Sequence, residues 1–278
     1  MYARPTTLDE AIVLLANEPA QVLSGGTDFY PALGDCPVRG PVVDVSRLKE
    51  LRGVTTEADR IRIGGLTTWS DIIRVPLPQC FNALKAAARD VGSVQIQNRG
   101  TVAGNLCNAS PAADGVPPLL ALDAEVELVS KAATRRMPLA EFIVGNRKTQ
   151  RRADELLTAV LVPRVVEEAA SAFAKLGARR YLVISISMVA AVVLVDHAGR
   201  VADARVAVGS CSAVARRLRA LEGELIGVAV REGLARRVRQ EHLRPLSPIE
   251  DVRATAEYRR DASLTLVQRA LNSCVGAS

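Results

Sequence analysis

Apolar residues recur at helical spacing near the start of the chain, where Leu8, Ile12 and Leu15 form one stripe. Thr7 precedes the stripe and Glu10 follows three positions on, the capping-box pattern that opens a helix. Gln21-Val22-Leu23 and Pro41-Val42-Val43-Asp44-Val45 read as short strands around it, a first unit of about fifty residues. Alternation in Arg60-Ile61-Arg62-Ile63-Gly64 predicts a half-buried strand, and Thr67 is placed to cap a short helix through Ile72 and Ile73. Phe81, Leu84, Ala88 and Val91 share one face of a longer helix that Gly92 ends. From Gly92 to Asp114 the periodicity lapses into small and polar residues, a run expected to form a long loop. Glu125–Val129 and Leu156–Val162 then read as strands of a mostly antiparallel sheet.

Beyond about Ser171 the pattern changes again. Two long apolar strands, Val183–Val195 and Ala202–Val208, flank an Asp196-His197-Ala198-Gly199 hairpin turn. Basic and apolar residues alternate at helical spacing over Val214–Leu225 and Val228–Arg239, and a last helix is expected from about Asp251 to Cys274. Strands followed by helices predict a separate α+β domain. The expected division is 1–168, with subdomains of about 1–55 and 56–168, followed by 169–278. A length of 278 residues suits two domains at roughly 150 residues each.

Charge and composition narrow the function. The net charge of +6 raises nucleic acid as a partner, but aromatics make up only 3% of the chain, so no stacking platform for bases is available. The arginines read instead as a solvated helical face. The longest apolar run, around Met188–Val195, falls short of the ~20 residues of a spanning helix, and no leader pattern opens the sequence. Cys36, Cys80, Cys107, Cys211 and Cys274 are scattered without a C-x-x-C pair, and His197 and His242 stand far apart. Reduced thiols, a cytoplasmic setting and no metal site are therefore expected.

Glycine marks the candidate chemistry. Leu23-Ser24-Gly25-Gly26-Thr27-Asp28 follows a strand, and Thr101, Gly104, Asn105, Cys107, Asn108 and Asp114 punctuate the long small-residue run. Glycine permits close backbone approach, and free N–H groups with hydroxyls and amides offer donors to an anion. Two such turns suit a long, diphosphate-containing cofactor. The dinucleotide fingerprint G-x-G-x-x-G, the phosphate-binding G-x-x-x-x-G-K-[ST] and the nucleophile turn G-x-S-x-G are all absent. Cys107 has no basic sequence neighbour to lower its pKa, so it reads as a packed small residue rather than a nucleophile, and no catalytic residue is expected. A carboxylate at Asp114 accepts bonds from hydroxyls and repels phosphate, which suits a ribose or ribityl chain.

These same segments carry a resemblance. Leu23–Asp28, Gln95-Ile96-Gln97-Asn98-Arg99-Gly100-Thr101-Val102-Ala103-Gly104-Asn105 and Ala109-Ser110-Pro111-Ala112-Ala113-Asp114 resemble the FAD-binding medium subunits of molybdenum hydroxylases, of the xanthine dehydrogenase and carbon monoxide dehydrogenase kind. Pro138–Phe142, Asp154–Leu157 and Phe173–Gly177 follow in the matching order. The resemblance implies a two-subdomain, PCMH-like FAD-binding domain and a small α+β C-terminal domain with a three-stranded antiparallel sheet. It implies non-covalent FAD held by Val22, Leu23, Ser24, Gly25, Gly26, Thr27 and Asp28 and by Val91, Gly92, Thr101, Gly104, Asn105, Cys107 and Asn108, with Asp114 on the ribose or ribityl side. Leu157, Lys175 and Ile184 would lie near the flavin ring, with the Lys175 ammonium stabilising negative charge on the reduced cofactor.

The resemblance also implies partners: a large subunit with the molybdenum cofactor and a small subunit with 2Fe–2S clusters, assembled as a dimer of heterotrimers. Electrons would pass from those clusters through FAD to NAD+ or another acceptor. Ala103 stands where many relatives have glycine and Gln97 where arginine is common, and Arg180–Ile184 lacks acidic residues found near the flavin in some relatives. That last difference leaves NAD+, quinone or oxygen open as the acceptor. The rival expectation is a stand-alone FAD-dependent reductase or oxidase of the same superfamily.

Overall fold

The computed structural model describes residues 1–276. Three parallel strands open it: β1 (Tyr2–Ala3) and β2 (Gln21–Leu23) both pair with β3 (Val42–Asp44). Helix α1 (Leu8–Asn17) connects the first two, and its capping box is complete: Thr7 accepts from the Glu10 N–H while the Glu10 carboxylate accepts from the Thr7 N–H. Ala11, Ile12 and Leu15 bury its inner face against Val43, Val45, Leu48 and Leu51. A short helix, α2 (Phe29–Leu33), follows the first glycine turn.

A five-stranded antiparallel sheet forms the middle of the molecule. Its first strands are β4 (Val54–Thr56) and β5 (Arg60–Gly64). Helices α3 (Trp69–Arg74), α4 (Asn82–Asp90), α5 (Val94–Arg99), α6 (Val102–Asn108) and α7 (Val116–Ala121) come next. Strands β6 (Glu125–Val129) and β7 (Thr134–Pro138), helix α8 (Leu139–Phe142) and the hairpin of β8 (Ile143–Gly145) and β9 (Lys148–Thr149) lead to β10 (Leu156–Pro163). The strand order is β4-β5-β10-β6-β7, so β10 returns to the centre, and it is buried almost end to end.

The third sheet pairs β11 (Ala170–Leu176), β12 (Ser187–Val195) and β13 (Val201–Gly209) antiparallel, with the two-residue β14 (Arg216–Arg217) at its edge. Strand alternation divides its side chains between two cores. Ala190, Val192 and Ala207 join the core of the middle sheet, while Val189, Ala191, Val193, Val206 and Val208 pack under α9 (Arg219–Leu225) and α10 (Ala256–Val275). No helix among the described residues is long and apolar enough to cross a membrane.

Several local expectations need correction. The residue that caps α3 is Thr68, not Thr67, whose hydroxyl instead bonds both backbone groups of Gly53. The run from Gly92 to Asp114 is not one loop but holds α5 and α6, because Thr101 caps the Gly104 N–H and Ala109 turns left-handed (φ 47°) to end the second helix. Residues 183–186 lie outside β12. Arg179 closes that stretch into a turn by donating to the Leu182 carbonyl, with Leu182 itself at φ 51°. The expected helix at Val214–Leu225 starts only at Arg219, since Arg216 and Arg217 pair with Val208 and Ala207. Gly227, at φ 78°, precedes Val228–Arg239, and Gly233, at φ 79°, splits that segment into 3-10 turns. The last helix begins at Ala256 behind its Thr255 cap rather than at Asp251.

Candidate functional site

The two glycine turns meet. Ser24 and Thr101 share a hydrogen bond between hydroxyls at 2.9 Å, although 77 residues separate them. A Cβ on Gly25 would lie 1.9 Å from the Arg99 carbonyl oxygen, so the approach is backbone on backbone and admits no side chain. Gly26 adopts φ +76°, the left-handed conformation that glycine takes without cost. Thr68 and Thr101 form an isolated bridge, and the Trp69 N–H donates to the Gly100 carbonyl at 3.2 Å, which anchors the second turn to α3.

Between the turns lies a cleft of about 910 Å³, at the upper end of the usual ~300–1,000 Å³ for small-molecule sites. Leu51, Leu66, Trp69, Leu156 and Leu157 supply apolar lining, and Leu182, Val183 and Ile184 reach it from the C-terminal domain. Of the expected residues, Val22, Ser24, Gly25, Gly26, Thr27, Asp28, Val91, Gly92, Thr101, Gly104, Asn105, Cys107, Asn108, Asp114, Leu157 and Ile184 all line it. Leu23 does not: its side chain is buried at 4% exposure. Lys175 does not either, and this changes its expected role.

The Lys175 ammonium donates to Asp114 Oδ2 at 2.8 Å and to the Asp90 carbonyl at 3.2 Å. Ser185 donates to the other Asp114 oxygen at 3.0 Å. Lys175 is thus a buried counter-ion behind the cleft wall rather than a free cation on its surface. Burial pushes the Asp114 carboxyl above the usual carboxylate range, against the pull of Lys175 and Ser185. The pair also ties β11 to the end of α4 and to the stretch just before Ile186. Asp114 offers the cleft only the lone pairs that Lys175 and Ser185 leave.

Two features fit the cleft to a polar ligand with a backbone-hugging anionic part. Asn105 Oδ1 is buried without a hydrogen-bond partner, an acceptor position that natural proteins seldom leave empty. At Gly104 a Cβ would come within 2.8 Å of Thr101 Oγ1, so this turn of α6 also keeps its backbone bare. Nucleophilic chemistry has no support here: burial raises the Cys107 thiol to about 11, far from a reactive thiolate. Glu224, Glu241 and His242 gather in the C-terminal domain, but Arg239 already bonds both carboxylates, and His242 Nδ1 accepts the Arg239 N–H.

Sequence reasoning missed the side of the cleft made by Arg147, Thr149 and Arg151 on the β8–β9 hairpin. Sequence reasoning counted the arginines as a solvated face, because nothing in the spacing shows that this hairpin folds back onto α6. It missed Trp69 for a similar reason. That ring is 1% exposed and packs against Gly100 and Gly115, yet it borders the cleft.

Comparison with known proteins agrees with this geometry. The family described as the FAD binding domain in molybdopterin dehydrogenase matches residues 1–165, and the CO dehydrogenase flavoprotein C-terminal domain matches 171–274. A nicotinate dehydrogenase FAD-subunit of Eubacterium barkeri is 40% identical over 206 residues, 71% of this chain and 70% of that one. A putative xanthine dehydrogenase FAD-binding subunit of Escherichia coli is 33% identical over 282 residues, 100% of this chain and 96% of that one. The solved carbon monoxide dehydrogenase of Hydrogenophaga pseudoflava superposes with a TM-score of 0.87 at 26% identity, covering 99% of this chain and 96% of that one. Quinoline 2-oxidoreductase from Pseudomonas putida shares the fold, with a TM-score of 0.90 at 24% identity over 99% of this chain and 96% of that one. With both halves matched in order, the chain belongs to the FAD-binding medium subunits of the molybdenum hydroxylases, a family of oxidoreductases.

Proposed function

We propose that the chain holds FAD non-covalently across the cleft and passes electrons from 2Fe–2S clusters of a small partner subunit to NAD+ or another acceptor. The substrate is oxidised on a large partner subunit that carries the molybdenum cofactor. One observation carries the reading: two glycine turns, locked by the Ser24–Thr101 bond, frame a cleft in which Asn105 Oδ1 lacks a partner. Bound FAD supplies the capacity to accept electrons singly and release them in pairs.

The chain's own residues then bind, orient and screen. Gly25, Gly26 and Gly104 line the cleft and add no side chain to it, which suits a diphosphate. Thr27, Asn105 and Asn108 supply hydroxyl and amide partners, and Asp114 accepts from a sugar hydroxyl through its remaining lone pairs. Leu157, Val183 and Ile184 would give the ring an apolar setting. No residue has to move a proton during electron transfer, which accords with a cleft whose thiol is protonated. We place the assembly, a dimer of heterotrimers, in the cytoplasm.

The test is to purify the chain alone and with its partner chains, then follow flavin bleaching by the complex's substrate under anaerobic conditions. Bleaching only with the molybdenum and iron–sulfur chains present is the expected result. Equal bleaching of the isolated chain would instead assign a stand-alone reductase.

A further inference from the structure

Arg147 and Arg151 both line the cleft, and among the described residues neither makes a salt bridge to a carboxylate. Their neighbour Arg135 shows the contrast, since it grips both oxygens of Glu155. Arg147 spends one N–H on the Asn108 side-chain oxygen, and Arg151 spends one on the carbonyls of Arg152 and Glu155. A guanidinium carries five donors, so each keeps most of them, and its full charge, for something else. Arg147 also sits at φ 54°, fixed there by its own N–H on the Ala109 carbonyl at 2.9 Å.

The two arginines stand at the far end of α6 from the glycine turns. Arg147 bonds Asn108 at the end of α6 and Arg151 lines the same cleft, whereas Ser24 and Gly25 meet Thr101 and the Arg99–Gly100 backbone before its start. Seven helical residues separate these points by about 10 Å. A nucleotide extending along α6 from the glycine turns would run toward Arg147 at the other end of the helix.

We propose that Arg147 and Arg151 form a second anion-binding point of the cleft, which takes a negatively charged part of a nucleotide. This rests on the reading of the cleft as an FAD site. The nucleotide has two sources, the resident FAD itself or a dinucleotide electron acceptor.

The experiment uses the full chain and the variants Arg147→Gln, Arg151→Gln and Arg147→Lys, with Trp69 emission and a thermal melt confirming the fold of each. Flavin-stripped protein is titrated with FAD at rising potassium chloride, and FAD-loaded protein is mixed anaerobically with NADH. If the resident cofactor is the ligand, each glutamine variant weakens FAD binding about tenfold and flattens its salt dependence, with Arg147→Lys recovering part of both. If the acceptor is the ligand, FAD binding stays unchanged while the NADH concentration for half-maximal bleaching rises about tenfold. Either result supports the proposal. Titrations with FAD and NADH that superimpose on the wild type at every salt concentration would overturn it. Wild-type protein that takes up no FAD would instead overturn the flavin reading on which it rests.

Discussion

Asp114 and Lys175 decide the chemistry at the scale of single residues. The pair is buried, and its partners reach three segments, so breaking it leaves a charge with nowhere to go. Lys175→Met is expected to destabilise the chain by roughly 3–5 kcal/mol at neutral pH, with Asp114→Asn in the same chain recovering most of the loss. The pH dependence follows from the direction of the Asp114 shift. Its carboxyl is raised in the folded state, so protonation favours folding and stability falls as pH rises through the folded pKa. Without Lys175 only the Ser185 hydrogen bond opposes burial, and the folded pKa climbs further. Urea melts of Lys175→Met should therefore match the wild type below the ordinary carboxylate range and fall behind it as pH rises to neutrality. A deficit that is constant across pH would contradict the buried pair. The same geometry limits what Lys175 does to a flavin: paired with Asp114 and set behind the wall, it is no free positive charge.

Gly25 shows what the elements ask of each other. The first turn and the start of α6 interlock only because Gly25 adds no side chain against the Arg99 carbonyl. Gly25→Val is expected to force the turns apart and weaken FAD binding by well over tenfold. Gly34→Ala serves as the control: nothing lies within 4 Å of the added Cβ, so at φ +55° it costs about 1–3 kcal/mol of backbone strain without touching FAD affinity. At the other turn, Thr101→Ala removes both the cap on the Gly104 N–H and the bond to Ser24, at a cost of about 1–2 kcal/mol in a denaturant melt. Elements such as α1, β5 and β6 were legible in the sequence because one face of each is buried and the periodicity records it. Helices α5 and α6 were not, since a six- or seven-residue helix rich in small residues carries too few apolar positions to set a period. The 3-10 turns of 230–243 escaped for the opposite reason: apolar spacing there was helical, and the left-handed Gly233 overrode it.

For the whole molecule, the site exists because three sheets are packed around it. The parallel sheet brings Ser24–Asp28, the middle sheet brings Leu156 and Leu157, and the C-terminal domain leans Leu182–Ile184 over the edge. Buried side chains tie these pieces together: Ala190, Val192 and Ala207 share the core of the middle sheet, and the Ser210 N–H donates to the Pro111 carbonyl at 2.9 Å. The glycine turns could be picked out of the sequence because they are local, whereas the arginine wall and Trp69 depend on long-range folding that no spacing reports. The central claim, that this cleft holds FAD without a covalent link, is tested most directly by titrating flavin-stripped wild type and Gly25→Val with FAD. One FAD per wild-type chain is predicted, all of it released into solution when the protein is denatured with acid, and little or none on a folded Gly25→Val. Undiminished binding by that variant, or flavin that stays with the denatured chain, would contradict the account.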